Sequence, residues 1–164
     1  MVTNHTLTNM TLYKISLTIS GDNFKSSLVS CPTDKMIIDD AWETNVPHAW
    51  FRGGTYLPCD GGILLMHNRC WATTEEHKEQ YEADFVDFLL ENEDAFTKLG
   101  AEEILCYYEV LHDENCECDV SLFSPTQLKR LAKLSLPLSL PVSVYPLETP
   151  HFQEYLEGVN NAWK

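Results

Sequence analysis

Carboxylates at helical spacing are the first chemistry this sequence offers. Glu75/Glu79 and Asp87/Glu91 lie four residues apart, and Glu76/Glu79, Glu79/Glu82, Asp84/Asp87 and Glu91/Asp94 lie three apart. Residues at these spacings share a helix face, and each like-charged pair costs an isolated helix on the order of 0.2–0.5 kcal/mol. A helix kept only for packing more often mixes its signs. A second group follows at Glu109, Asp113, Glu114, Glu117 and Asp119. Carboxylates crowded in this way can steer and dock a basic partner, hold a hard cation, or keep a surface hydrated. The ligand spacing of an EF-hand calcium loop, with its central glycine and closing glutamate, is missing.

The charge count agrees with this clustering. The chain has 164 residues, 25 of them acidic and 11 basic, for a formal net charge of -14. Residues 75–119 hold 16 acids and 2 bases, so 45 residues carry the whole imbalance. A binder of nucleic acid needs a basic surface to displace counterions from phosphate, and this charge balance argues against one. Adhesion to an anionic membrane is disfavoured for the same reason. No apolar run approaches the roughly 18 residues of a membrane span. A basic protein is the partner class that the charge implies.

Thiols and imidazoles are the other reactive groups. Cys116-x-Cys118 with His112 is half of a zinc set, and Cys59, His67 and Cys70 are residues that folding would have to bring to it. Cys31, Cys59 or Cys70 beside His48 or His67 would make a nucleophile and its base. Neither a strand–nucleophile–helix elbow nor a phosphate-cradling glycine loop accompanies them, and no cofactor is implied. The opening MVTNHTLTNM lacks the basic and apolar regions of a signal peptide. A cytoplasmic location with free thiols is therefore expected, and the sequons at Asn4 and Asn9 are read as chance. The segment holding Trp42, Trp50, Phe51, Arg52, Tyr56 and Trp71 suits either an interface anchor or a small satellite core under long loops.

These groups need elements to hold them. Residues 1–10 read as a loose lead-in to a single domain over 11–164. Leu12 to Ser20 alternates apolar and polar residues, as a half-buried strand does. Phe24, Leu28 and Val29 fit a short helix, and Ala49–Phe51 and Ile63–His67 fit strands. Residues 74–99 give the clearest helix, with Thr73 and Glu76 as a capping box. In it Tyr81, Phe85, Phe88, Leu89, Phe96 and Leu99 form an apolar face, and Glu79, Glu82, Asp84, Asp87, Glu91 and Asp94 lie mostly opposite. Glu103–Leu111 and Cys118–Phe123 read as strands of a hairpin. Ser124, Pro125 and Gln127 start a helix. Its apolar face is Leu128, Leu131, Ala132 and Leu134, with Lys129, Arg130 and Lys133 toward solvent. Leu138–Tyr145 is a last strand, placed at an edge by Pro141, and 151–163 a short tail helix. Residues 17–28 and 120–131 echo each other as strand, turn and helix. The expected fold is α+β: one antiparallel or mixed sheet of four to six strands, packed against two main helices as a two-layer sandwich.

Ile19-Ser20-Gly21-Asp22 after the first strand resembles the opening of the bacterial family called domain of unknown function 4279. Phe123-Ser124-Pro125, Leu128, Leu131-Ala132, Leu138-Ser139-Leu140 and Val144-Tyr145 are similar to its closing strand–helix–strand. The resemblance covers about half the chain and implies a fold type and a bacterial origin, with no reaction. In size and charge the chain also resembles the small acidic immunity proteins of toxin–immunity pairs. The expected function is that of a protein-binding protein, most concretely an immunity protein that occludes a basic toxin domain. Its expected contacts are Glu79, Glu82, Asp84, Asp87, Glu91, Asp94, Glu109, Asp113, Glu114, Glu117 and Asp119. A small enzyme or metal-binding domain is the alternative.

Overall fold

β1 (Thr11–Gly21) is the strand on which the molecule is built. Tyr13, Ile15, Leu17 and Ile19 are buried on one of its faces, as the alternation requires. The computed structural model describes residues 11–30, 34–49, 52–73, 77–118 and 120–164. A short 3-10 turn (Ser26–Leu28) follows β1. Next come β2 (Met36–Trp42), β3 (His48–Ala49), β4 (Thr55–Tyr56), β5 (Gly61–His67) and β6 (Ala72–Thr73). The rest of the chain is α1 (Lys78–Lys98), β7 (Glu103–Asp113), α2 (Pro125–Leu131), β8 (Leu138–Ser139), β9 (Val142–Leu147) and α3 (Thr149–Ala162).

Seven strands form one sheet in the order β2-β5-β1-β7-β8, with β6 also on β1 and β9 also on β7; β3 and β4 pair separately. β1 runs antiparallel to β5, β6 and β7, whereas β8 and β9 run parallel to β7, so the sheet is mixed. Parallel pairing demands a crossover, and α2 lies in it. Pro141 falls between β8 and β9, where its missing N–H costs nothing and its carbonyl accepts from the Tyr108 N–H at 2.9 Å.

α1 lays Tyr81, Phe85, Phe88 and Leu89 into the same core as the odd-numbered face of β1. α3 covers the other face at one end, where Phe152, Leu156 and Val159 close over Leu12 and Leu111. The molecule is therefore α+β with a mixed sheet and three helices, the third standing where the sequence placed a tail helix.

Several local readings change. Thr73 is a strand residue paired with Leu12, so it does not cap α1; the helix begins at Lys78 with His77 before it and no side-chain cap. Residues 74–76 lie outside the described residues. Cys118 and the residues from 120 to 123 form no strand, so the expected hairpin does not exist and the echo of 17–28 by 120–131 loses its strand. The α2 start is as read, with Ser124 Oγ accepting from the Gln127 N–H at 3.3 Å. Leu128, however, is exposed, and Arg130 reaches Asp87 rather than solvent. Trp42 and Trp71 pack apart: Trp42 lies over Gly62, and Trp71 meets Tyr155 of α3. Trp50 and Phe51 lie outside the described residues.

Gly100 ends α1 with φ +95, and a Cβ there would stand 2.8 Å from the Asn23 carbonyl oxygen. Alanine meets both the left-handed penalty and that backbone atom. Gly100→Ala is expected to cost at least about 1–2 kcal/mol in urea unfolding. An unchanged midpoint would show that the turn does not depend on glycine.

Candidate functional site

The expected acidic contacts divide into two groups once folded. Glu82 is 0% exposed and Asp84 is 5% exposed, so neither lies on a solvent face. Asp113 is buried as well. Its Oδ1 accepts from the Asn115 N–H at 2.9 Å and the Thr149 hydroxyl at 3.0 Å; the Asn115 bond leads in holding its carboxyl below the ordinary range. Asp87 pairs with Arg130, and Glu109 pairs with Lys14 at 3.3 Å. Glu93 accepts from the N–H groups of Ser135 and Leu136, tying α1 to the segment after α2. Glu79, Glu91, Asp94, Glu114 and Glu117 are exposed, with no base at ion-pair distance among the described residues. Asp119 lies outside the described residues.

Glu82 is a hub. Its Oε1 accepts from the Tyr108 hydroxyl at 2.8 Å and from the Lys78 ammonium, and its Oε2 accepts from the Ser124 N–H at 3.0 Å. It therefore joins α1, β7 and the start of α2. Around it Tyr13 stacks on Tyr108 with ring centroids 5.4 Å apart. Burial and the nearby Glu82 carboxylate push the Tyr108 phenol far above its ordinary value, so it stays a proton donor.

Asp84 and His67 form a second buried pair. His67 Nε2 lies 3.0 Å from Asp84 Oδ2, while Asp84 Oδ1 accepts from Lys35 at 2.7 Å and Gln80 at 2.8 Å. Burial alone would raise the Asp84 carboxyl, but the hydrogen bonds from Lys35, His67 and Gln80 outweigh it and hold the group below its ordinary value. Burial lowers the His67 value against the pull of Asp84. The geometry agrees, because His67 Nδ1 accepts from the Arg69 N–H at 3.1 Å and so carries no proton. His67 is then neutral, with its proton on Nε2 facing Asp84.

That Arg69 N–H opens a tight connection between β5 and β6. Cys70 sits at φ 62, in the left-handed region that non-glycine residues rarely occupy. The Tyr81 hydroxyl donates to the Cys70 carbonyl at 2.5 Å, and the Trp163 indole N–H donates to the Trp71 carbonyl at 2.9 Å. The turn and α3 together line a cleft of about 510 Å³. The sequence offered Cys70, with His48 or His67, as a nucleophile and Trp71 as an interface anchor or satellite-core residue, but nothing in it joined them to α3. His67 falls on the core face with Ile63 and Leu65, as the period-two rule requires.

The Cys/His chemistry finds little support. Burial pushes the Cys70 thiol up, which leaves little thiolate, and both His67 nitrogens are already engaged. Cys59, Cys70 and Cys106 are free thiols. Among the described residues no three His, Cys, Asp or Glu side chains are placed to share a metal ion. No described helix is long and apolar enough to cross a membrane. No family model, curated protein or solved structure matches this chain.

Proposed function

We propose that this chain is a protein-binding domain that captures a basic partner, most concretely a bacterial immunity protein that occludes a toxin domain in the cytoplasm. One observation carries this reading. After the fold has used Glu82, Asp84, Asp87, Glu109 and Asp113 internally, Glu79, Glu91, Asp94, Glu114 and Glu117 remain exposed, without a neutralising base among the described residues. Glu79, Glu91 and Asp94 share the solvent arc of α1, where mutual repulsion gives nothing to the fold. Against lysines and arginines around a toxin's active site the same charges would speed encounter and set register.

The test is association with a basic toxin domain encoded beside this protein. Glu79→Lys/Glu91→Lys/Asp94→Lys is expected to slow association about tenfold or more at low salt. The effect should shrink as added salt shortens the screening length. The circular dichroism spectrum should not change, because none of the three side chains is engaged in the fold. An association rate indifferent to both salt and charge reversal would sink the reading.

A further inference from the structure

The cleft beneath α3 has features that folding alone does not explain. Gly158 lies inside α3 and lines it. Glycine within a helix is costly relative to alanine. A Cβ at Gly158 would meet nothing within 4 Å, so no neighbour in the chain requires the glycine. Glycine is also the residue that lets a ligand approach backbone closely. Facing α3 across the cleft is the left-handed turn at Cys70, a conformation stored where the surroundings over-determine it. Here the surroundings are Tyr81, His67 and Trp163, each hydrogen-bonded to the turn.

The lining defines what would fit. Trp71 and Tyr155 stand edge-to-face with centroids 6.1 Å apart and give the cleft an aromatic wall. Val159 adds an apolar surface. Two charges of opposite sign share the rim. The Arg69 guanidinium lies 4.3 Å from the Trp163 ring centroid, and among the described residues it has no carboxylate partner. Glu154 stands one helical turn before Gly158, likewise without a basic partner among the described residues. A purely anionic ligand would satisfy Arg69 and confront Glu154, and a purely cationic one the reverse. A volume of about 510 Å³ is within the range of small-molecule sites.

We propose that this cleft binds a small zwitterion with an aromatic body, of the aromatic amino-acid class: the ring lies against Trp71 and Tyr155 over Gly158, the carboxylate meets Arg69, and the ammonium meets Glu154. The proposal is independent of the acidic docking surface, since neither the residues nor the ligand are shared.

Three probes test it on the intact chain: L-phenylalanine, 3-phenylpropanoate, which lacks the ammonium, and phenethylamine, which lacks the carboxylate. Binding is read from the indole N–H resonances of Trp71 and Trp163 and by titration calorimetry. L-phenylalanine is expected to bind saturably below about 1 mM, and each singly charged probe about tenfold more weakly. Arg69→Gln should weaken phenylalanine and phenylpropanoate and spare phenethylamine. Glu154→Gln should weaken phenylalanine and phenethylamine and spare phenylpropanoate. Gly158→Ala should raise the melting temperature while weakening phenylalanine, and Gly158→Leu should abolish its binding. The proposal is overturned if the folded protein shows no saturable phenylalanine binding. It is equally overturned if the three probes bind alike, or if Gly158→Ala leaves phenylalanine affinity unchanged.

Discussion

Glu82→Ala is expected to lower the free energy of unfolding by about 3–5 kcal/mol. The reason is what the substitution leaves behind. The Tyr108 hydroxyl is buried, the Ser124 N–H is part-buried at the start of α2, and the Lys78 ammonium is mostly covered; all three donate to this one carboxylate. Alanine leaves these donors without their acceptor and opens a hole between α1, β7 and α2. Glu82→Gln keeps one acceptor oxygen but points an amide N–H₂ at donors, so it should fall between alanine and the native residue. Glu79→Ala, a turn away and exposed, should stay within about 0.5 kcal/mol. Adding Tyr108→Phe to Glu82→Ala removes one of the orphaned donors and should cost less than the sum of the two single changes. Urea unfolding with unchanged slope measures each value. A loss below about 1 kcal/mol for Glu82→Ala would mean that water replaces the carboxylate and that the hub does not hold the three elements together.

Glu82 also shows how far the sequence could be read. At 100° per residue it falls between Leu89 and Val86, inside the apolar arc of α1, yet its charge and its like-charged neighbours suggest a solvent face. The pattern that revealed the helix thus held the contrary sign as well. Only β7 and the α2 start, both distant in sequence, supply the donors that make burial tolerable. Asp84 differs, since it sits at the flank of the arc and is drawn in by Lys35 and His67 from the β2–β5 side. β1, β5, β7 and α1 were legible because each buries one face completely, and burial imposes a period. β2 was not, because it is an edge strand with most of its residues exposed and a register shift between Ile38 and Asp40. The false strand at 118–123 shows the reverse error. Cys118, Leu122 and Phe123 pack against the core without strand pairing, with Phe123 against Tyr108 at 5.8 Å, while Val120 is exposed. The Arg69–Trp71 turn left no local trace. Its left-handed residue is a cysteine rather than a glycine, and its anchors Tyr81 and Trp163 lie 11 and 92 residues away from their acceptors.

The same turn makes stability depend on pH through His67. Its folded value lies below the ordinary 6.5 because the ring is buried, so the unfolded chain binds this proton more readily. The contribution is complete above pH 6.5 and is lost as pH falls toward the folded value. Asp84 acts with the same sign at lower pH, because its folded value lies below 3.8 and its contribution fades only as the carboxylate protonates. Stability should therefore begin to fall below about pH 6.5, before the surface carboxylates titrate. His67→Gln replaces the ring with a side chain that still donates to Asp84 but does not titrate. It cannot also accept from the Arg69 N–H, so it should cost about 1–3 kcal/mol at pH 7.5. Between pH 7.5 and 5 its stability should be nearly flat where the native protein declines, and the difference between the two curves isolates His67 from His48, His77, His112 and His151. Protonating Nδ1 would set an N–H against the Arg69 N–H, so acid should loosen the Arg69–Trp71 turn before the core opens. Amide exchange at Arg69 and Cys70 should accelerate at pH 5 relative to Leu17 and Cys106 in the central strands. Parallel curves for the native protein and His67→Gln would show that the imidazole titrates alike in the folded and unfolded chains, and the turn would then owe its geometry to Tyr81 and Trp163 alone.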